Sequence, residues 1–201
     1  MDFTALKEKL EGLGYAVSCF DKAQDACVYL DNQVNGTTVG FGGSKTLEQM
    51  GLFERLASHN DVAWHQNVPK GTDTKPIRMK ENAARIYFSS VNALAATGEI
   101  INIDGTGNRV ASTWYGHEKL YLVVGRNKIT PDYESALYRA RNVAAPLNAQ
   151  RLGVKTPCAL KGDRCYDCKS PARICRGISV FWECLTGANI EIVLIDEDLG
   201  F

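Results

Sequence analysis

From Thr37 onward the chain keeps returning to one pattern: a short apolar run, then a polar, glycine-rich cluster. The runs at Thr37–Phe41, Arg85–Phe88, Glu99–Ile103, Lys119–Val124 and Ile190–Ile195 read as strands. Several are apolar at consecutive positions rather than at alternate ones. A strand with one wet face alternates, whereas a strand that is apolar throughout is buried on both faces. Segments of helical periodicity separate the strands. The expected fold is therefore α/β, a mainly parallel sheet with helices on both faces. At 201 residues and 45% hydrophobic content, the chain is expected to make one domain with a sizeable core, spanning 1–201.

The N-terminal 30 or so residues are mostly helical in rhythm. Phe3, Leu6 and Leu10 share one helical face, which Gly12 and Gly14 end. A short strand is expected over Tyr15–Phe20, and Ala23, Ala26, Cys27 and Leu30 make a second helical face. Further helices are expected from Lys45 through Leu56, over Lys75–Ala84, and over Pro131–Ala144 with Asp132 near the start. Asp61–His65 is a candidate short strand. The N-terminus lacks an apolar signal region, and no stretch of about 18 apolar residues offers a membrane span.

The clusters GGSKT, SSVNA, DGTGNR and GRNK each follow the C-terminal end of an expected strand. Ligands of open α/β sheets bind at that edge. In the first cluster, Gly42 and Gly43 let the backbone approach a ligand, while Ser44 and Thr46 offer hydroxyls to a phosphate or carboxylate. The spacing is not that of a Walker loop, and Ser44 is equally readable as a helix N-cap. Asp104 and Arg109 are the one strongly charged pair in their cluster. They read as base and anion holder, or as an internal contact that shapes the turn. Ser90, Asn92, Asn108, Asn127 and Lys128 add donors around the same edge. His59, His65 and His117 have no diagnostic neighbour and read as structural.

A different signal lies near the end. Cys158, Cys165, Cys168 and Cys175 are spaced C-x6-C-x2-C-x6-C within an irregular segment at about 155–177. Four thiols around a C-x2-C core can hold a zinc ion or an iron–sulfur cluster. The spacing matches neither a bacterial ferredoxin run nor a zinc ribbon, and two disulfides or plain reduced thiols remain the alternatives. Nine Lys or Arg but only Asp163 and Asp167 lie between Arg139 and Arg176, whereas five acids and no Lys or Arg follow. Cations there would offset the negative charge of a four-thiolate centre. Cys19, Cys27 and Cys184 stand apart and read as small buried side chains. An odd total of seven cysteines without a signal region fits the reducing cytoplasm. The formal net charge is zero, so bulk attraction to nucleic acid is not implied.

The segments GFGGSKTL, SSVNALAATGEIINIDGTGNR, VVGRNKI, the run from Arg139 to Asn148, and PCALKGDRCYDCKSPARIC together resemble the LUD-domain, or lactate-utilisation, family. The cysteine segment is similar to that of its stand-alone branch in anaerobic bacteria. The resemblance implies a fold like the NagB/RpiA/CoA-transferase group, with Ser44 and Thr46 in an anion loop. Ser90, Asn92, Asp104, Asn108, Arg109, Asn127 and Lys128 would surround the pocket. It also implies work beside iron–sulfur partner proteins in oxidising L-lactate to pyruvate. The chain has no separate ferredoxin module and no flavin or nicotinamide motif.

Three functions are then open. The first is a redox-associated subunit or accessory of 2-hydroxy-acid oxidation, with a small anion at the strand ends and a metal centre, iron–sulfur before zinc, at the cysteines. The second is a stand-alone isomerase or transferase on a phosphorylated or CoA-linked molecule, with Asp104 as base. The third is a non-catalytic assembly module with a structural zinc.

Overall fold

The computed structural model of the chain describes residues 1–201. Helix α1 (Thr4–Gly12) buries Leu6 and Leu10, and the chain turns at Gly14, whose φ is +88°. Strand β1 (Ala16–Phe20) leads into α2 (Ala23–Gln33), which buries Ala26, Cys27 and Leu30. Strand β2 (Thr38–Phe41) is followed by two helices, α3 (Lys45–Met50) and α4 (Leu52–Ala57), where one was expected. Gly51 between them has φ +64°, a left-handed conformation that ends α3. Next come β3 (Asp61–Ala63), α5 (Lys75–Asn82), β4 (Ile86–Ser90), β5 (Ala93–Ala95) and β6 (Ile100–Asp104). Helix α6 (Asn108–Trp114) precedes β7 (Lys119–Gly125), and a single 3-10 turn at 126–128 joins it to β8 (Ile129–Thr130).

Asp132 caps α7 (Tyr133–Arg139) by accepting the Ser135 N–H at 2.8 Å. The helix widens into a π turn over Ala140–Ala144 and continues as α8 (Ala145–Arg151). Pro146 has no N–H to carry the ladder forward, and the widening lies just before it. Helix α9 (Pro157–Lys161), strand β9 (Gly177–Phe181) and strand β10 (Ile190–Ile195) complete the chain.

The main sheet has six strands in the order β1-β10-β7-β4-β2-β3, and every neighbouring pair is parallel. Its central strands are apolar on both faces because both faces are covered. In β7, Tyr121 and Val123 pack with α2, α3 and α4, whereas Leu120, Leu122 and Val124 pack on the other side with Leu6 and Leu10 of α1. β10 divides the same way, with Val193 and Ile195 on one face and Ile192 and Leu194 on the other.

The expectation of a mainly parallel, doubly covered sheet holds. It lacked a second sheet. Strands β8-β5-β6-β9 form a four-stranded layer in which β5–β6 and β6–β9 are antiparallel. Leu94, Ile100 and Phe181 from this layer pack against the α1 side of the main core. Its other face packs Ala93, Ala95 and Ile101 on Ala136 and Ala140. Of the three isolated cysteines only Cys27 is buried; Cys184 is half-buried and Cys19 is exposed. Residue 19 sits on edge strand β1, which pairs on one side only.

Candidate anion crevice and cysteine cavity

Strands β7, β4 and β2 are neighbours in the main sheet, and their carboxyl ends open on one crevice of about 710 Å³. β2 delivers Gly43 and Ser44, β4 delivers Ser90 and Asn92, and β7 delivers Lys128. β3 adds His65 and Gln66. The opposite wall comes from the loop after β6, from α8 and from Arg173–Arg176 of the cysteine segment. Lys45, Arg78, Arg109, Lys128, Arg151, Arg173 and Arg176 line it, against only Glu48 and Asp104. Seven basic side chains, six of them besides the buried Lys128, facing two acidic ones make a field that favours an anion. Two donors in the lining, Arg78 Nε and Asn108 Nδ2, are buried without a protein partner. Buried donors normally have an acceptor, so both are suited to a ligand.

Gly42, Thr46 and Asn127 stand behind the crevice wall and do not line it. Asn127 ties the C-terminal segment to the end of β7, accepting from Leu199 N–H at 3.0 Å. Gly42 donates its N–H to Phe88 O, and a Cβ there would stand 3.0 Å from Arg109 Cγ. Ser44 is the N-cap of α3, its Oγ accepting the Leu47 N–H at 3.2 Å. Its own N–H goes to Gln66 Oε1. The N–H groups of Gly43, Lys45 and Thr46 meet no protein acceptor.

Asp104 and Arg109 border the crevice, but not by the route expected. β6 belongs to the second sheet and runs antiparallel to β5, so no shared parallel edge places them. Arg109 is held by internal acceptors. It donates to Asn102 Oδ1 at 2.9 Å, Ile103 O at 2.7 Å, Asn92 Oδ1 at 3.3 Å and Ser90 O at 3.4 Å, and its Nε lies 3.5 Å from Asp104 Oδ2. Asp104 accepts the N–H groups of Thr106, Gly107 and Val110. Burial opposes its charge, but Arg109 and these three donors outweigh that and hold the carboxyl below its usual range. The pair therefore braces the loop. A carboxylate so stabilised is a poor base, and a guanidinium so engaged has little left for a ligand.

A better base is one that local sequence does not reveal. His65 lines the crevice, and its Nδ1 lies 2.8 Å from Oε1 of Glu81, a carboxylate with no exposure. Glu81 also accepts the His65 backbone N–H. A carboxylate on Nδ1 fixes the ring and its tautomer, leaving Nε2 as the free nitrogen. The two residues are 16 positions apart, and packing of α5 against β2 and β3 joins them. The other histidines are structural. His117 donates from Nδ1 to Ala84 O and stacks on Tyr87, and His59 bonds Asp31 and Asn35.

The four clustered cysteines gather around one cavity without converging on a point. Cys158, Cys165, Cys168 and Cys175 all line one small, mostly apolar cavity with Arg141 and Arg173. None is in a disulfide. Between Cys165 and Cys168 the chain turns through Asp167, the single non-glycine residue with a left-handed backbone, at φ 47°. That turn lets the Asp167 N–H donate to Cys165 Sγ at 3.3 Å. Thr156 Oγ1 lies 3.2 Å from Cys158 Sγ. The donor set suits a thiolate-bound centre. As the side chains stand, no three of these donors are close enough together to hold one ion. The sulfurs surround a space rather than a point.

The fold is similar to that of a DUF162 family protein from Deinococcus radiodurans, with a TM-score of 0.53 and 9% identity over 96% of this chain and 95% of that one. At that identity the likeness is one of fold alone. No curated protein matches the chain. The family model of the LUD domain matches residues 4–195, nearly the whole length, and the chain therefore belongs to the LUD domain family.

Proposed function

We propose that this lactate-utilisation-type protein is a cytoplasmic, redox-associated subunit or accessory of 2-hydroxy-acid oxidation. It holds a small anion in the cationic crevice and an iron–sulfur centre on Cys158, Cys165, Cys168 and Cys175. One observation carries this reading. The crevice and the cysteine cavity share a wall made of Ala145, Arg173, Ile174 and Cys175. A centre on the cysteines would be a direct neighbour of the bound anion. Zinc would need four sulfurs about 2.3 Å from a single point. Four thiolates serve a zinc ion or an iron–sulfur cluster alike, and the redox setting of the lactate-utilisation family favours the cluster. When bound, such a centre would accept or donate single electrons. The residues described here bind and orient the anion.

Protein prepared without oxygen should contain iron and acid-labile sulfide and absorb in the visible, and Cys165→Ser with Cys168→Ser should abolish both. Stoichiometric zinc with no visible band would favour an assembly module instead, and no metal at all would remove the centre from the reading. Inorganic phosphate and L-lactate should raise the melting temperature. Arg78→Gln should weaken the better of them roughly ten- to a hundred-fold, the worth of one charge-assisted hydrogen bond. Unchanged affinity would place the anion elsewhere.

The His65–Glu81 pair favours a second reading, a stand-alone isomerase or transferase on a phosphorylated or CoA-linked substrate, with His65 as general base. Turnover of phosphosugars or acyl-CoA by the purified protein, lost in His65→Gln, would establish it.

A further inference from the structure

Lys128 is the one basic side chain of the crevice that ends in an amine almost wholly buried and facing no carboxylate. Its residue is 3% exposed, and it takes part in no ion pair. Its Nζ donates to Thr46 Oγ1 at 2.7 Å and to Ser90 Oγ at 2.8 Å. The two hydroxyls have other acceptors for their own hydrogens. Ser90 donates to Val123 O at 2.6 Å, and Thr46 donates to Leu199 O at 3.2 Å. Toward Lys128 both oxygens are therefore acceptors. An ammonium has three N–H donors and no lone pair; a neutral amine has two N–H donors and one lone pair. The surroundings offer two acceptors, which matches the neutral amine. The remaining valence is a lone pair on a residue that lines the crevice. The charged groups nearby, Arg109 and Arg139, are both cationic and act in the same direction as burial, against a third proton.

We propose that Lys128 condenses through Nζ with the carbonyl carbon of a 2-oxo acid or similar small anionic carbonyl compound bound in the crevice. The inference rests on the anion-binding reading above and adds a substrate class and a covalent step to it. The Nζ lone pair attacks the carbonyl carbon, and the carbonyl π pair moves to oxygen, which takes up a proton. A proton passed from the nitrogen to that hydroxyl lets it leave as water, and the nitrogen lone pair closes a protonated imine. Water adding back reverses the sequence, so no oxidant or reductant is needed. The carboxylate of the same molecule would lie among the crevice's cations. A buried lysine is the usual kind for such chemistry, because an ammonium has no electron pair to offer.

The test is reductive trapping on the native protein at neutral pH. Glyoxylate with sodium cyanoborohydride should convert Lys128 to carboxymethyl-lysine. Peptide mapping should place it there at least about tenfold above exposed lysines, which at that pH are almost wholly protonated. Excess inorganic phosphate should protect Lys128, and Lys128→Met should lose the adduct. Modification spread over exposed lysines with Lys128 untouched would overturn the imine. If phosphate still raised the melting temperature in that case, the anion reading would survive alone. A modified Lys128 that phosphate neither protects nor stabilises would overturn both the anion reading and the 2-oxo-acid assignment. Mapping on the parent protein makes the result independent of how well the methionine variant folds.

Discussion

Arg109 illustrates how a residue can border a candidate ligand crevice and have structural work instead. Its guanidinium links the end of β4, the Asn92 turn and the end of β6, and its ion pair with Asp104 is nearly enclosed, with side chains 13% and 11% exposed. Lysine cannot reproduce that fork of donors. Arg109→Lys and Asp104→Asn should each cost about 2–4 kcal/mol, the range for removing half of a buried, hydrogen-bonded pair. The pH dependence has a definite sign. The folded carboxyl of Asp104 is depressed, so its contribution is present above the unfolded value near pH 4 and is lost as pH falls through the folded value. The stability gap between the parent and Asp104→Asn should be full at neutral pH and shrink below about pH 4. Urea titrations at several pH values measure it. A gap that is absent at pH 7, with phosphate binding lost, would return Asp104 to the ligand site.

At the scale of elements, the central strands of the main sheet were legible because each is apolar enough to advertise burial on two faces. Of the second sheet only β6 was. β8 has two residues and β5 has three, mostly alanine, so neither carries a periodicity. Helix α6 begins just past a loop with Gly105 and Gly107, and its serine and threonine lack a helical stripe. The His65–Glu81 contact is a product of packing and has no local signature. The cysteine spacing, by contrast, announced the segment that becomes one wall of the crevice. That segment docks on the β6–α6 loop. Arg176 N–H bonds Asp104 O at 2.9 Å, and a Cβ at Gly105 would stand 2.5 Å from Ile174 O. The Gly105 backbone lies outside the left-handed region, so alanine there is opposed by the clash alone. Gly105→Ala should therefore displace the cysteine segment at a cost of about 1–3 kcal/mol, the usual range for overpacking. Hydrogen exchange should rise across 155–177 and stay unchanged in β7 and β10. Uniformly faster exchange would mean that the segment and the core form one cooperative unit.

For the whole molecule, the shared wall predicts that a centre bound at the cysteines would be thermodynamically linked to the crevice. Two of the crevice's seven basic side chains, Arg173 and Arg176, are placed by the cysteine segment itself. Arg173 donates to Cys175 O at 2.7 Å and Cys168 O at 3.1 Å, and Arg176 donates to Arg173 O and Pro171 O, each at 3.1 Å. A centre that draws Cys168 and Cys175 together would fix those carbonyls and, through them, both guanidinium groups. A thiolate centre also brings negative charge, about −2 by charge counting, which opposes a bound anion. Screening over a Debye length of about 8 Å weakens that repulsion at physiological salt, whereas losing two positioned guanidinium groups acts at hydrogen-bond range. The positioning effect should win. Stripping the metal should therefore weaken phosphate binding by roughly 5- to 50-fold, within the range of ordinary coupling energies. Linkage is reciprocal, so saturating phosphate should tighten the metal by the same factor. Calorimetric titration of phosphate into loaded and stripped protein, paired with chelator competition with and without phosphate, measures both sides. Tighter phosphate binding after stripping would show that charge repulsion dominates, and equal affinities would make the wall a passive partition between two independent sites.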